Sequence, residues 1–148
     1  MGWGELTWIL FHTMAEKIHE QKYKQVKTEL LSFIRLICQV LPCPECAKDA
    51  ANTLNTMNVK KINTKTEFKQ FLFQFHNTVN KKLKKEVLPI SILNKYKSAN
   101  LNKILKTWLQ HFKFTGGMNK RLIGVSMQRK QIKHAFYQFM FKHQQHFN

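Results

Sequence analysis

The chain has little that would break regular structure: 5 Gly and 3 Pro in 148 residues. That scarcity excludes a loop-rich or low-complexity chain. Strand signals are few, and helix-compatible spacing dominates, so the expected class is all-α. Acid is missing from the second part. All eight Asp/Glu lie at or before Glu86, while 11 Lys/Arg follow it. The resulting net charge of +17 attracts nucleic acid, acidic proteins or anionic membrane without choosing among them, and plain solubility accounts for it equally well. No run reaches the roughly 18 apolar residues of a membrane-crossing helix. The N-terminus has no basic stretch and no small-residue cleavage site, so it does not read as a secretory signal. Cysteine is scarce and odd in number, at three. That is no secreted disulfide framework; it suits a redox or metal site in a chain made in the cytosol.

What is present is a core. Apolar residues make up 43% of the chain, enough for one domain, or one domain with a tail. A first helix is expected over about Gly4–Glu20, with Trp8, Phe11, Ala15 and Ile18 at helical spacing. A second, about Lys24–Leu41, carries Val26, Leu30, Phe33, Ile34, Ile37 and Val40, and Pro42 stops it. A third opens near Cys43, with Pro44 in its first turn. Thr64-Lys65-Thr66-Glu67 reads as a capping box for a fourth, which carries Phe68, Phe71, Leu72, Phe75, Val79 and Leu83 and ends at Pro89. A fifth runs over about Ser91–Trp108. Gly116-Gly117 breaks the chain, and a basic, aromatic stretch follows from about Asn119 to His146.

Chemistry concentrates at Leu41-Pro42-Cys43-Pro44-Glu45-Cys46. Two thiols three residues apart at a helix N-terminus can close a small disulfide, and the helix end stabilises a thiolate. Zinc would need a second ligand pair, which the sequence lacks. A thioredoxin-type site would need a preceding strand. A helical redox dithiol and an inert buried pair both remain open. Cys38, between apolar neighbours, reads as a small hydrophobe. His76-Asn77-Thr78-Val79-Asn80 places a ring nitrogen and two amides beside Phe68, Phe71, Leu72 and Phe75. Trp8 and His12 repeat that pairing on the first helix. Each pair alone is more often core packing; together they suit a flat, polar ligand.

Three blocks, Gly4-Glu5-Leu6-Thr7-Trp8-Ile9-Leu10-Phe11-His12-Thr13, Leu41-Pro42-Cys43-Pro44-Glu45-Cys46-Ala47 and Phe75-His76-Asn77-Thr78-Val79-Asn80-Lys81-Lys82-Leu83, resemble the FAD-linked sulfhydryl oxidases of the Erv/ALR type. The resemblance is strongest to the short forms of large cytoplasmic DNA viruses, and it covers residues 3 to about 97. It implies a four-helix bundle around FAD with a short fifth helix, so that residues 1–97 form the oxidase domain and 98–148 a basic helical extension. It implies that Gly4, Trp8, His12, His76, Asn77, Val79, Asn80, Leu83 and Tyr96 line the cofactor, with Lys82 and Lys85 at its phosphates. Tyr96 stands in for the family's adenine-stacking tryptophan.

It further implies that Cys43 exchanges disulfide with a substrate dithiol, and that Cys46 lies against the flavin. Electrons then pass to FAD and on to O2, giving H2O2. No metal is implied. The family's shuttle cysteines are missing, so a separate thiol carrier or the protein substrate itself must bring electrons. A homodimer through the first two helices is implied, as is a place in host cytoplasm and virion if the chain is viral. Two departures stand out. Glu5 occupies the place of an arginine, and a structural disulfide of the cellular enzymes aligns with Phe73 and Ile90, expected to pack as an apolar pair. The competing reading is a basic, helical nucleic-acid-binding or virion structural protein on the same scaffold, its tail holding nucleic acid or an anionic surface. Phe136, Tyr137, Phe139 and Met140 of that tail are expected to serve packing or an interface.

Overall fold

The computed structural model describes residues 3–41, 44–112 and 120–147; Pro42, Cys43 and the Gly116-Gly117 break lie outside them. The described residues are helical, as expected. In chain order they form α1 (Trp3–Lys17), α2 (Glu20–Gln39), α3 (Pro44–Thr56), α4 (Lys65–Lys82), a 3-10 helix (Ile90–Ser98), α5 (Leu101–His111) and α6 (Lys120–Lys142). An isolated antiparallel bridge, Ile18 to Phe147, brings the end of the chain back to the α1–α2 junction. There the His19 N–H also donates to the His146 carbonyl at 2.8 Å.

α1 packs on α4, α4 on α3 and α3 on α2, which makes the four-helix unit. The apolar faces predicted from spacing point inward: Phe11, Ala15, Ile18, Leu30, Ile37, Phe68 and Phe75 are all buried. Polar ties fix the pairing. Lys69 bridges to Glu16 across α4 and α1 at 2.6 Å, and the Tyr23 hydroxyl donates to the Ile62 carbonyl.

The capping box forms at Thr64, whose hydroxyl accepts from the Glu67 N–H at 3.1 Å. The Glu67 carboxylate reaches back to the Asn63 N–H. α4 does not continue to Pro89 but ends at Lys82. Lys84 takes a positive φ of 57°, and the Lys85 N–H returns to the Asn80 carbonyl at 2.8 Å. This is a Schellman closure built on a lysine where glycine is usual. The expected fifth helix is two pieces. It breaks at Ala99-Asn100, because the Asn100 side chain accepts from the Lys103 N–H and so starts α5 afresh.

Among the described residues after 97, α5 and α6 contribute buried side chains to the same core. α5 lies on α1, with Trp108 fully buried and its indole N–H donating to the Thr7 hydroxyl at 2.9 Å. α6 lies on α2, and Phe136, Phe139 and Met140 are buried. Tyr137 is half exposed, so the inward face of α6 is set by residues 136, 139 and 140.

Candidate functional site

A cavity of about 600 Å³ opens between α1, α2, α3, α4 and the 3-10 helix. Each wall follows from local structure. The first turns of α1 bring Gly4 and Trp8, and Cys38 and Leu41 come from the end of α2. Cys46 stands in the first turn of α3, and His76, Val79, Asn80 and Leu83 come from the end of α4. The loop after α4 adds Lys85, and the 3-10 helix adds Tyr96.

Aromatic faces dominate. The Trp8 and His76 rings stack at 4.1 Å and 6°, and Phe75 meets Trp8 edge-on at 5.0 Å. His12 is buried behind them. It stacks on Tyr96 at 5.1 Å, and its Nε2 shares a 2.9 Å hydrogen bond with Nδ1 of His76. Burial, then His76, then Lys95 push the His12 pKa down to about 3. Burial, then Lys95 and Lys85, push that of His76 down to about 4. Both rings are therefore neutral at pH 7. With Nδ1 of His76 engaged by His12, its Nε2 is the nitrogen left for a bound group.

The asparagines act on backbone. The Asn77 amide donates to the Leu88 carbonyl at 3.0 Å and accepts from the Leu88 N–H at 2.8 Å. The Asn80 amide donates to the Glu86 carbonyl at 3.2 Å. Together they pin residues 86–88, part of the loop that brings Lys85 to the cavity. Asn77 itself does not line the cavity, and neither does Lys82, whose ammonium donates to the Thr53 hydroxyl at 3.2 Å. The structure thus brings Gly4, Trp8, His76, Val79, Asn80, Leu83, Lys85 and Tyr96 together with Cys46 around one cavity, with His12 and Asn77 supporting from behind. Cys43 lies outside the described residues.

The pair expected to replace a disulfide does not form a buried contact, because Ile90 is 58% exposed. The Asn77–Leu88 clamp holds that end of the chain instead. Lys95 is the residue that sequence reasoning missed. It lines the cavity with its ammonium 5.2 Å from the Tyr96 ring centre; the only signal was its place beside Tyr96. Glu86 and Phe11 also line the cavity.

The two sulfur environments differ. Cys46 is disulfide-bonded. Cys38 is a free, buried thiol whose pKa burial pushes up to about 12. Among the described residues no group of three or more His, Cys, Asp or Glu could hold a metal ion, and no helix is long and apolar enough to cross a membrane.

The residues fit a flavin nucleotide. Aromatic faces suit a flat ring system, neutral imidazole and amide groups suit its polar edge, and two lysines suit phosphates. A Cβ added at Gly4 would meet nothing within 4 Å, so the protein's own packing does not require glycine there.

Comparison with known proteins agrees with this geometry. Residues 5–112 match the model of the Erv1/Alr family. An FAD-linked sulfhydryl oxidase of African swine fever virus is 32% identical over 107 residues, which is 72% of this chain and 87% of that protein. FAD-linked sulfhydryl oxidase ERV1 of Oryza sativa subsp. japonica is 31% identical over 91 residues, 62% of this chain and 46% of that protein. The mitochondrial ERV1 of Saccharomyces cerevisiae is 32% identical over 82 residues, 55% of this chain and 43% of that protein. The chain thus spans less than half the length of these plant and yeast relatives. No solved structure matches. A family match over most of the chain, joined to a disulfide-bonded cysteine on a Trp–His-lined cavity, makes this chain a member of the Erv1/Alr family.

Proposed function

We propose that the protein is an FAD-dependent thiol oxidase that makes disulfides in a dithiol substrate or in a separate thiol carrier. One observation carries the reading: Cys46, already in a disulfide, lines the same cavity as the stacked Trp8 and His76. Cys43 is its proposed partner, three residues earlier on the chain. A substrate thiolate attacks the Cys43 sulfur, a mixed disulfide forms, and Cys46 leaves as a thiolate. The second substrate thiol, deprotonated, attacks the substrate sulfur of that mixed disulfide. The oxidised substrate departs, and its two electrons stay on the Cys43/Cys46 pair. Cys46 sits in the first turn of α3, where the helix end stabilises its thiolate.

Trp8, His76 and Tyr96 would hold the ring systems of FAD, and Lys85 and Lys95 its phosphates. His12 fixes the His76 ring through their shared hydrogen bond. When bound, the flavin supplies a two-electron acceptor that O2 re-oxidises, with H2O2 as product.

A homodimer through the first two helices would use Leu36 of α2, which is exposed, and Ile9, Leu31 and Phe33, which are half-buried; most other apolar residues there serve the chain's own core. Leu6, Leu10, Phe11 and Met14 of α1 and Val26, Leu30 and Ile34 of α2 are buried within the chain.

The test is purification followed by a spectrum and an oxygen electrode. The protein should come off the column yellow and consume O2 with dithiothreitol, and Cys46→Ser should abolish that uptake. A colourless protein that gains no oxidase activity on adding FAD overturns the reading.

A further inference from the structure

α6 lies beyond the residues 5–112 that match the family, yet it reaches back to the redox end of α2. It is seated there by Phe33, whose ring meets Phe136 at 5.4 Å and Phe139 at 5.1 Å. About two turns earlier on α6, Arg129 turns inward and is only 8% exposed. Its Nε–H donates to the Val40 carbonyl at 2.7 Å. Val40 is the C-cap of α2, where carbonyls have no partner within the helix. α2 has no basic residue in its last turn, so the cation that complements this helix end comes from α6. Burying a guanidinium is costly unless its hydrogen bonds are made; a guanidinium held at this carbonyl is more than filler. Val40 is followed by Leu41, which lines the cavity, and stands three residues before Cys43.

We propose that Arg129 is a positioning residue for the Cys43–Cys46 pair, acting through the Val40 carbonyl. It fixes the direction in which the chain leaves α2 and holds a positive charge at that end. Both favour the approach of a substrate thiolate to the disulfide. The inference rests on the oxidase reading, and it gives the segment after residue 112 a part in the chemistry.

The test compares the wild-type chain with Arg129→Met, Arg129→Gln and Arg129→Lys. Disulfide reduction by dithiothreitol is timed under nitrogen by alkylation and mass, well below each melting midpoint. Flavin content, melting midpoint and O2 uptake are recorded beside it. Arg129→Met should slow disulfide reduction about tenfold with flavin content kept. Arg129→Lys, which keeps the cation, should recover part of the loss. A lowered midpoint with a wild-type exchange rate would show that Arg129 only packs, and so overturn the proposal. Should Arg129→Met fail to fold, equal exchange rates for wild type, Arg129→Gln and Arg129→Lys overturn it equally. A wild type that exchanges its disulfide but neither holds flavin nor consumes O2 sinks the oxidase reading instead, and the exchange comparison still decides the role of Arg129.

Discussion

Cys38 and Cys46 face one cavity, but their chemistry diverges for a physical reason. A thiol becomes a nucleophile only as thiolate. Burial pushes the Cys38 pKa up to about 12, so it stays protonated at neutral pH. Cys38→Ser should therefore keep dithiothreitol oxidation within about twofold of wild type in an oxygen-electrode assay. Loss of activity, with flavin bound and the fold intact, would make Cys38 a third redox thiol. The histidine pair gives a pH prediction. Burial pushes the His12 and His76 pKa values down to about 3 and about 4 in the fold, against 6.5 for an unperturbed imidazole. Between those limits the unfolded chain binds protons that the folded chain refuses, so stability is complete above about pH 6.5 and is lost as pH falls toward 4. Urea midpoints should drop between pH 7 and 5, and the double variant His12→Asn/His76→Asn should show a flatter profile. An equally steep profile in the double variant would place the sensitivity elsewhere. At this scale the sequence was informative where a residue type is rarely used without a purpose. His76 beside Asn77 and Asn80, and Trp8 before His12, could be read as a site. Lys95 could not, because one lysine among so many carries no signal until a fold sets it beside Tyr96.

At the scale of elements, the loop after α4 decides how Lys85 reaches the cavity. Its conformation depends on two side-chain amides and one unfavourable dihedral. Asn77 satisfies both backbone groups of Leu88. Asn77→Ala leaves them without that partner and should cost about 1–3 kcal/mol in chemical denaturation, with flavin content falling alongside. Unchanged stability would mean that water replaces the amide at no cost. Lys84 holds a φ of 57°, where a Cβ is disfavoured by about 1–2 kcal/mol. Lys84→Gly relieves that strain but loosens the unfolded chain, so a net gain of roughly 0.5–1 kcal/mol is expected. A loss of stability would show that the lysine side chain makes a compensating contact. The capping box at Thr64 was legible because it is a local pattern of residue types. The end of α4 was not, because Lys84 in the left-handed region has no sequence mark. The chain therefore looked helical up to Pro89. The break before α5 had a mark in Asn100, but asparagine serves caps, turns and surfaces alike.

At the scale of the molecule, the question is whether residues after 112 form an appendage or part of one folding unit. Apolar spacing marked Phe136, Phe139 and Met140 as packing residues; it could not name their partners, because a contact between α6 and α2 spans about a hundred residues of chain. The structure supplies those partners. Trp108 stacks on Phe112 at 4.3 Å and meets Phe136 edge-on at 5.6 Å, and Phe136 in turn meets Phe33 of α2. Rings thus join α2 to α6 and α6 to α5, with Phe33 half-buried at the α2 end, and the Trp108 hydrogen bond to Thr7 ties α5 to α1. Phe136 is fully buried, so Phe136→Ala should cost about 3–5 kcal/mol. If α5 and α6 belong to one unit with the flavin site, that loss appears as a lowered midpoint of a single transition, equal whether read from far-ultraviolet dichroism or from flavin fluorescence. Two separated transitions, with the flavin signal unmoved, would make the region after residue 112 an independent appendage. The same burial bears on assembly. α5 lies on α1 and α6 on α2, so both of the helices from which a homodimer is implied carry a cover supplied by the chain itself. Sedimentation of the intact chain should give a monomer mass. Deleting residues 113–148 should uncover Phe33 on α2 and bring self-association. An intact chain that sediments as a dimer would require an interface outside this covered face.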